Sequence, residues 1–433
     1  MLNRPDVRIT ISLGLIVIGF LVIPLAPFHP AVSYGAAFIF TSAVFLFLAR
    51  TLWNSEIRPS ILYLAIGIGI LVRAGFLASD PIGSDDVYRY MWDGRVQSHG
   101  LNPYAYPPSA PELDSLHSRL LPGAVNHPDL KTLYFPASQW LCFVCYQLSG
   151  EHIWGYKLLL LIAEIATMLG LFLLTRRLEI PPRFILLYAL CPLPILQFAL
   201  DAHIDGLGLP LLIFGLVLYI DGRKSFSYLL LALSASVKPV ALLLLPILMP
   251  QEKGVWNKTR VSLIPAIVIA GEFIPYVFHS NPFDGLFRFA ENWTFNGAVF
   301  ETLFLFIPDN QKARIICAAL LGVALVILYL RRNQIIDTYY FAVILLLVLS
   351  PVVHPWYIAW LIVLLPVARK WSGIVLASTA SLTSYTIMNY RIYGLWLQSP
   401  VVLILEYVPV LAILAFELHR FWKRSEILNP PRR

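Results

Sequence analysis

The chain has 433 residues, 58% of them hydrophobic and only 13% charged, with a mean hydropathy of +0.72. A soluble domain carries roughly 25% charged residues, so this composition excludes that class and predicts an all-α, polytopic transmembrane helix bundle in a single domain, 1–433. The net charge of +7 sits in short joints between apolar runs, where the positive-inside rule puts it, and no basic, aromatic-interleaved soluble segment supports nucleic-acid binding.

In chain order, apolar runs at 10–27, 32–49 and 60–78 read as the first three spans. The first is long enough to span and is followed by more, so it is a retained helix rather than a cleaved signal. Arg4, Arg8, Arg50 and Arg58 put the N-terminus and the second joint in the cytoplasm. The third span therefore exits outward, and the longest polar stretch, 79–133, is extracytoplasmic. Loops this long in compact proteins are usually functional or disordered.

The run 134–149 is short for a span and holds Pro136 and Gln139, so it reads as a re-entrant or interfacial helix. Cys142 and Cys145 lie in its apolar WLCFVCY stretch, without the second pair a metal or redox site needs, and read as small buried hydrophobes. Spans at 156–175, 183–199 and 205–220 follow, leaving Asp201, His203 and Asp205 outside.

Residues 226–250 lie between two basic joints, so a single crossing would break the charge rule, whereas two half-helices meeting near Lys238 and Pro239 keep it. Further spans at 261–279, 312–330, 336–352, 356–369, 372–390 and 400–418 place Arg331, Arg332, Arg369, Lys370 and the basic tail inside, for about 12 to 14 spans in all. Asp85, Asp86, His127, His203, Asp205 and His354 then share one side of the membrane.

Several residues carry the candidate chemistry. Tyr88, Met91, Trp92 and Val96 repeat at helical spacing, which predicts an amphipathic helix over 84–96 with Ser84 at its N-cap. Its polar side holds Asp85, Asp86, Arg89 and Asp93. The acids serve either as first-turn caps or as a carboxylate that takes a proton from an acceptor hydroxyl. Lys238, an intramembrane lysine, is either functional or snorkelling to the interface. Arg89 and Arg95 offer alternative forks for a phosphate. His354, Trp356 and Tyr357 form either an interfacial aromatic anchor or a donor site. Glu164, Glu272 and Arg73 lie within apolar spans and each needs a partner the sequence does not name.

The run SDDVYRYMWDGRVQSHGLNPYAYPP, followed by NHPDLKTLYFPASQ, resembles the first extracytoplasmic loop of GT-C glycosyltransferases. DAHIDGLGLPLLI, SASVKPVALLLLP and HPWYIAWLIVLLP resemble later stretches of the same group, closest to bacterial polyprenyl-phosphomannose-dependent mannosyltransferases. The resemblance implies that Asp85 and Asp86 hold the catalytic base. The candidate donor- or acceptor-binding residues beside them are Arg89, Asp93, Arg95, His127, Tyr134, His203, Asp205, Lys238, His354, Trp356 and Tyr357. The resemblance also implies an inverting transfer of a sugar, mannose first, from a polyprenyl-phosphate carrier to an extracytoplasmic lipid or glycan acceptor. No cofactor is certain, although some relatives hold a divalent cation on such acids. Independently, the chain has no Walker motif or Gly-rich strand–turn–helix unit for a nucleotide sugar. The competing expectations are a transporter or flippase, which should show internal repeats the sequence lacks, and an outer-leaflet polysaccharide polymerase or ligase.

Overall fold

The structure, a computed structural model, describes residues 5–428 apart from 279, 332 and 333, with side chains as far as Lys423. Arg4, Arg332 and the basic residues beyond Lys423, used above to orient the chain, lie outside that description. The described residues form helices and no strand, apart from isolated bridges joining Phe295 and Asn296 to Val352.

The helices are α1 (Pro5–Leu25), α2 (Pro30–Asn54), α3 (Pro59–Gly75), α4 (Asp86–Ser98), α5 (Pro136–Ser149), α6 (Trp154–Arg177), α7 (Leu186–Ala189) and α8 (Pro192–Pro194). They continue with α9 (Gly208–Ile220), α10 (Lys224–Val237), α11 (Leu245–Leu248), α12 (Val255–Val277), α13 (Asp284–Asn292), α14 (Ala298–Phe306) and α15 (Asn310–Leu330). The last are α16 (Ile335–Leu349), α17 (Pro355–Ile362), α18 (Leu365–Ala368), α19 (Trp371–Thr379), α20 (Ser384–Tyr393) and α21 (Pro400–Leu428). Among the described residues, six helices are long and apolar enough to cross a membrane, or seven if one bent pair is a single span. Length and composition thus support six or seven of the spans expected, the remainder falling on shorter apolar helices and broken segments. The protein is a multi-pass membrane protein.

The segment expected as one helix at 183–199 is instead broken. Pro182–Ala189 and Pro192–Leu200 meet at 44°, because Pro192 and Pro194 remove amide donors and crowd the preceding turn. Every residue from 184 to 209 is buried, so this broken segment is walled by other helices rather than by lipid. Arg73 of α3 supports the break: its Nη1 donates to the Ala189 carbonyl at 2.7 Å and its Nε to Glu164 of α6 at 2.7 Å. Tyr188 also donates to Glu164. The partners of Arg73 and Glu164 are therefore each other, and both are buried. Non-helical backbone at membrane depth needs such capping, since no water is present to satisfy it.

The expected half-helix hairpin is present. α10 ends at Val237, Lys238 is extended (φ −150°, ψ 129°), and Pro239 opens a second helical stretch running to Gln251. At its foot Lys224 Nζ meets Glu252 Oε1 at 2.6 Å, which closes the hairpin and leaves Lys238 at its tip. The 14 residues of α10 rise about 21 Å at 1.5 Å each, short of a hydrocarbon core of about 30 Å.

α4 starts at Asp86, with Asp85 rather than Ser84 in the N-cap position. Ser84 Oγ instead accepts the Asp86 amide at 3.2 Å. α5 packs across α4 at Gly94, where any Cβ would collide with the Cys142 carbonyl. Cys142 and Cys145 are buried free thiols in this contact. α13 and α14 were not foreseen. They follow α12, and a Lys131–Asp284 ion pair of 3.0 Å ties α13 to the 79–133 loop.

Candidate active site

Where the 79–133 loop meets the broken segment, the hairpin tip and α17, they enclose a cavity of about 750 Å³. It is lined by Asp85, Asp86, Arg89, His127, Tyr134, Asp205, Lys238, His354, Trp356 and Tyr357 among others. Ten of the thirteen residues singled out from the sequence thus share one cavity. His203 lies directly behind its wall, stacked on Trp356 with ring centroids 3.7 Å apart.

The backbone that presents the acidic pair is fixed from below. Asp201 Oδ1 accepts the amides of Ile82 at 2.9 Å and Gly83 at 2.8 Å, and its Oδ2 accepts the Tyr34 hydroxyl at 3.2 Å. A Cβ at residue 83 would collide with both the Asp201 carboxylate and the Tyr34 hydroxyl, so glycine permits this approach. Arg391 of α20 completes the clamp. Its Nε donates to the Ile82 carbonyl at 2.9 Å, and its fork grips Asp85 at 3.0 and 2.8 Å.

The two acids therefore differ. Asp85 is neutralised by a bidentate guanidinium, the strong geometry for such a pair. Asp86 faces no cation at hydrogen-bond distance. Its Oδ1 accepts from Asn126 Nδ2 at 2.8 Å, and its Oδ2 lies 3.6 Å from His203 Nδ1. Burial pushes the Asp86 carboxyl above its usual range; the Asn126 hydrogen bond opposes this, the Asp205 charge adds to it, and Lys238 counteracts it. Burial also pushes His203 well below its usual value, helped by His354 and Lys238, so the ring beside Asp86 is neutral. Among the described residues neither His203 ring nitrogen has a hydrogen-bond partner.

Across from the acids, Lys238 Nζ meets Asp205 Oδ1 at 3.0 Å and sits 3.4 Å above the Tyr357 ring. Trp360 Nε1 donates to the same Asp205 oxygen at 3.2 Å. The wall beside them is a column of four stacked rings: Phe295, His354, Trp356 and His203, with successive centroids 4.8, 4.3 and 3.7 Å apart. Burial holds His354 down to about 3. His127 meets Trp293 edge-on at 4.7 Å, and Tyr134 meets Tyr90 at 5.1 Å. His127, Ala202 and Asn296 adopt left-handed backbone (φ 50°, 60° and 54°), strain of the kind that gathers at functional sites.

Three expectations need correction. Asp93 is not in the cavity; it is a buried hub accepting from Thr132 Oγ1 at 2.6 Å, Gln139 Nε2 at 2.8 Å and Arg89 Nε at 3.0 Å. Arg89 lines the cavity with its stem, but its head is engaged by Asp93 and by the Leu130 carbonyl at 2.9 Å, which leaves it poorly placed for a phosphate. Arg95 pairs with Glu151 and ties α4 to the α5–α6 turn, outside the cavity. The i, i+4 spacing placed Arg89 and Asp93 on one helix face but could not tell a cavity-facing stripe from a buried polar one.

Sequence reasoning missed Arg391, Asn126, Phe295 and Trp360. Arg391 carried a signal: it lies just past the end expected to face outward of the 372–390 span, where the positive-inside rule disfavours an arginine. Of the acids lining the cavity, both Asp85 oxygens are engaged by Arg391 and Asp205 by Lys238, which leaves Asp86 as the one carboxylate open to a divalent cation. Among the described residues no group of three or more His, Cys, Asp or Glu side chains could hold a metal ion.

The family described as Alpha-(1->6)-mannopyranosyltransferase, N-terminal domain, matches residues 11–251. The chain belongs to this mannosyltransferase family. The matched stretch carries Asp85, Asp86, Asp201, His203, Asp205 and Lys238, while His354 and Arg391 lie beyond it. As a member of the mannosyltransferase family, with a GT-C type helix bundle, the protein is a membrane glycosyltransferase. It is also similar to ArnT from Cupriavidus metallidurans in the apo state, at 14% identity and a TM-score of 0.47, over 84% of this chain and 75% of that one. Among curated proteins none matches.

Proposed function

We propose that the protein is an inverting mannosyltransferase of the cell membrane that uses a polyprenyl-phosphate sugar as donor and an extracytoplasmic glycan or lipid hydroxyl as acceptor, with Asp86 as general base. The observation that carries this reading is the asymmetry of the acidic pair. Asp85 is locked to Arg391, whereas Asp86 opens on the cavity with one oxygen held by Asn126 and no cation at hydrogen-bond distance.

In this mechanism Asp86 takes the proton of the acceptor hydroxyl as its oxygen attacks the anomeric carbon. The bond from that carbon to the phosphate oxygen breaks, and the phosphate leaves with the electron pair. Lys238, lining the cavity with one acceptor for three protons, meets the charge that develops on the phosphate. The stacked rings give sugar faces an apolar wall and exclude water from the attack. Asp85, Arg391 and Asp201 hold the base in place. No step is routed through a metal: Arg391 holds both oxygens of Asp85 and Lys238 holds Asp205, which leaves Asp86 as the open carboxylate of the cavity.

Incubating membranes that contain the protein with radiolabelled polyprenyl-phosphate mannose, glucose or arabinose tests donor and acceptor together. Label from the mannose donor should enter a lipid or glycan product. Transfer from nucleotide-linked mannose alone, with none from the lipid-linked donor, would overturn the proposal.

A further inference from the structure

At the foot of the α10–α11 hairpin, far from the site at its tip, lies an open groove of about 520 Å³. It is lined by Arg223, Lys224 and Arg260, with one carboxylate, Glu252, that is already engaged by Lys224 at 2.6 Å and by the Tyr219 hydroxyl at 3.0 Å. Among the described residues no acid pairs with Arg223 or Arg260, and Arg260 Nη1 donates to the Asn257 side-chain oxygen at 3.4 Å. The 14-residue α10 starts in this groove, and its first amides have no side-chain cap. Tyr228 is buried in the groove wall with its hydroxyl against the Glu252 carboxylate. Three cations and the uncapped amides of α10 thus converge on a groove whose described lining holds one acid, already engaged by Lys224.

We propose that this groove binds the phosphate headgroup of an anionic phospholipid. The source is a lipid rather than a soluble phosphate, because the neighbouring Phe226, Val255 and Trp256 are apolar and exposed at the ends of two apolar helices. That rim suits acyl chains and interfacial aromatics, while the cations suit a phosphodiester.

Native mass spectrometry of the full chain in detergent, equilibrated with phosphatidylglycerol, phosphatidylcholine or inorganic phosphate, tests this. Phosphatidylglycerol should be retained over phosphatidylcholine, and millimolar inorganic phosphate should not displace it. The Arg223→Gln/Arg260→Gln double variant should lose phosphatidylglycerol affinity by roughly 10- to 30-fold, and Arg223→Lys/Arg260→Lys should keep most of it. Arg50→Gln, an exposed basic residue at the end of another span, serves as control. Equal retention of the two lipids, displacement by phosphate, or a loss no larger than that of Arg50→Gln would each overturn the proposal.

Discussion

Asp86 and Lys238 show how environment divides labour between residues that look equivalent in the sequence. A buried carboxyl is harder to ionise, and Asp86 sits above its usual range chiefly through burial. A base must be ionised to work, so the rate should fall as pH drops through this raised value. The acid limb of kcat/KM therefore lies above the ordinary Asp value of about 3.9, and a pH–rate profile checks it; a rate constant down to pH 4 would contradict it. Lys238 pairs with Asp205 and rides on Tyr357, so Lys238→Met should weaken donor use with the fold intact. Lys238→Arg should restore it only in part, the guanidinium being larger and differently shaped. Steady-state kinetics in donor concentration decide the matter, and unchanged donor kinetics would return Lys238 to a purely structural place. The pair Asp85–Asp86 was legible in the sequence, but the partner that separates them was not. Arg391 is 306 residues away in the chain, and no local pattern reports a contact of that range.

At the scale of elements, the hairpin at Lys238 was legible because the charge rule and Pro239 acted together, one on topology and the other on backbone. The break at Pro192 was not read, because the run around it is apolar throughout and periodicity is silent when every face is buried. The short helices α13 and α14 escaped for the opposite reason, being too brief for a hydropathy signal. The break depends on Arg73, whose guanidinium satisfies both Glu164 and the Ala189 carbonyl. Arg73→Met should leave a buried carboxylate uncompensated and destabilise the protein by about 3–5 kcal/mol. The Arg73→Met/Glu164→Gln double variant should recover part of that loss. Thermal unfolding in detergent measures both, and a single variant as stable as the parent would refute this role.

For the molecule as a whole, helix count and the clustering of ionisable groups follow from one constraint: polar groups in a bilayer must find each other. The loop, the hairpin tip and the start of α17 meet on one side, and we propose from the charges of the joints that this side is extracytoplasmic. Cysteines at Ser109 and Ser60, exposed positions at opposite ends of the spans, test this in whole cells, since the four native cysteines are buried. An impermeant thiol reagent should label Ser109→Cys and spare Ser60→Cys; the reverse would move the site to the cytoplasm. The central claim, that Asp86 is the base for transfer from a lipid-linked sugar, is tested most directly by turnover of the purified protein with polyprenyl-phosphate mannose. Asp86→Asn keeps size and loses the proton acceptor, so transfer should fall by roughly 10²- to 10⁴-fold with donor binding retained. Turnover of Asp86→Asn near that of the parent would contradict it.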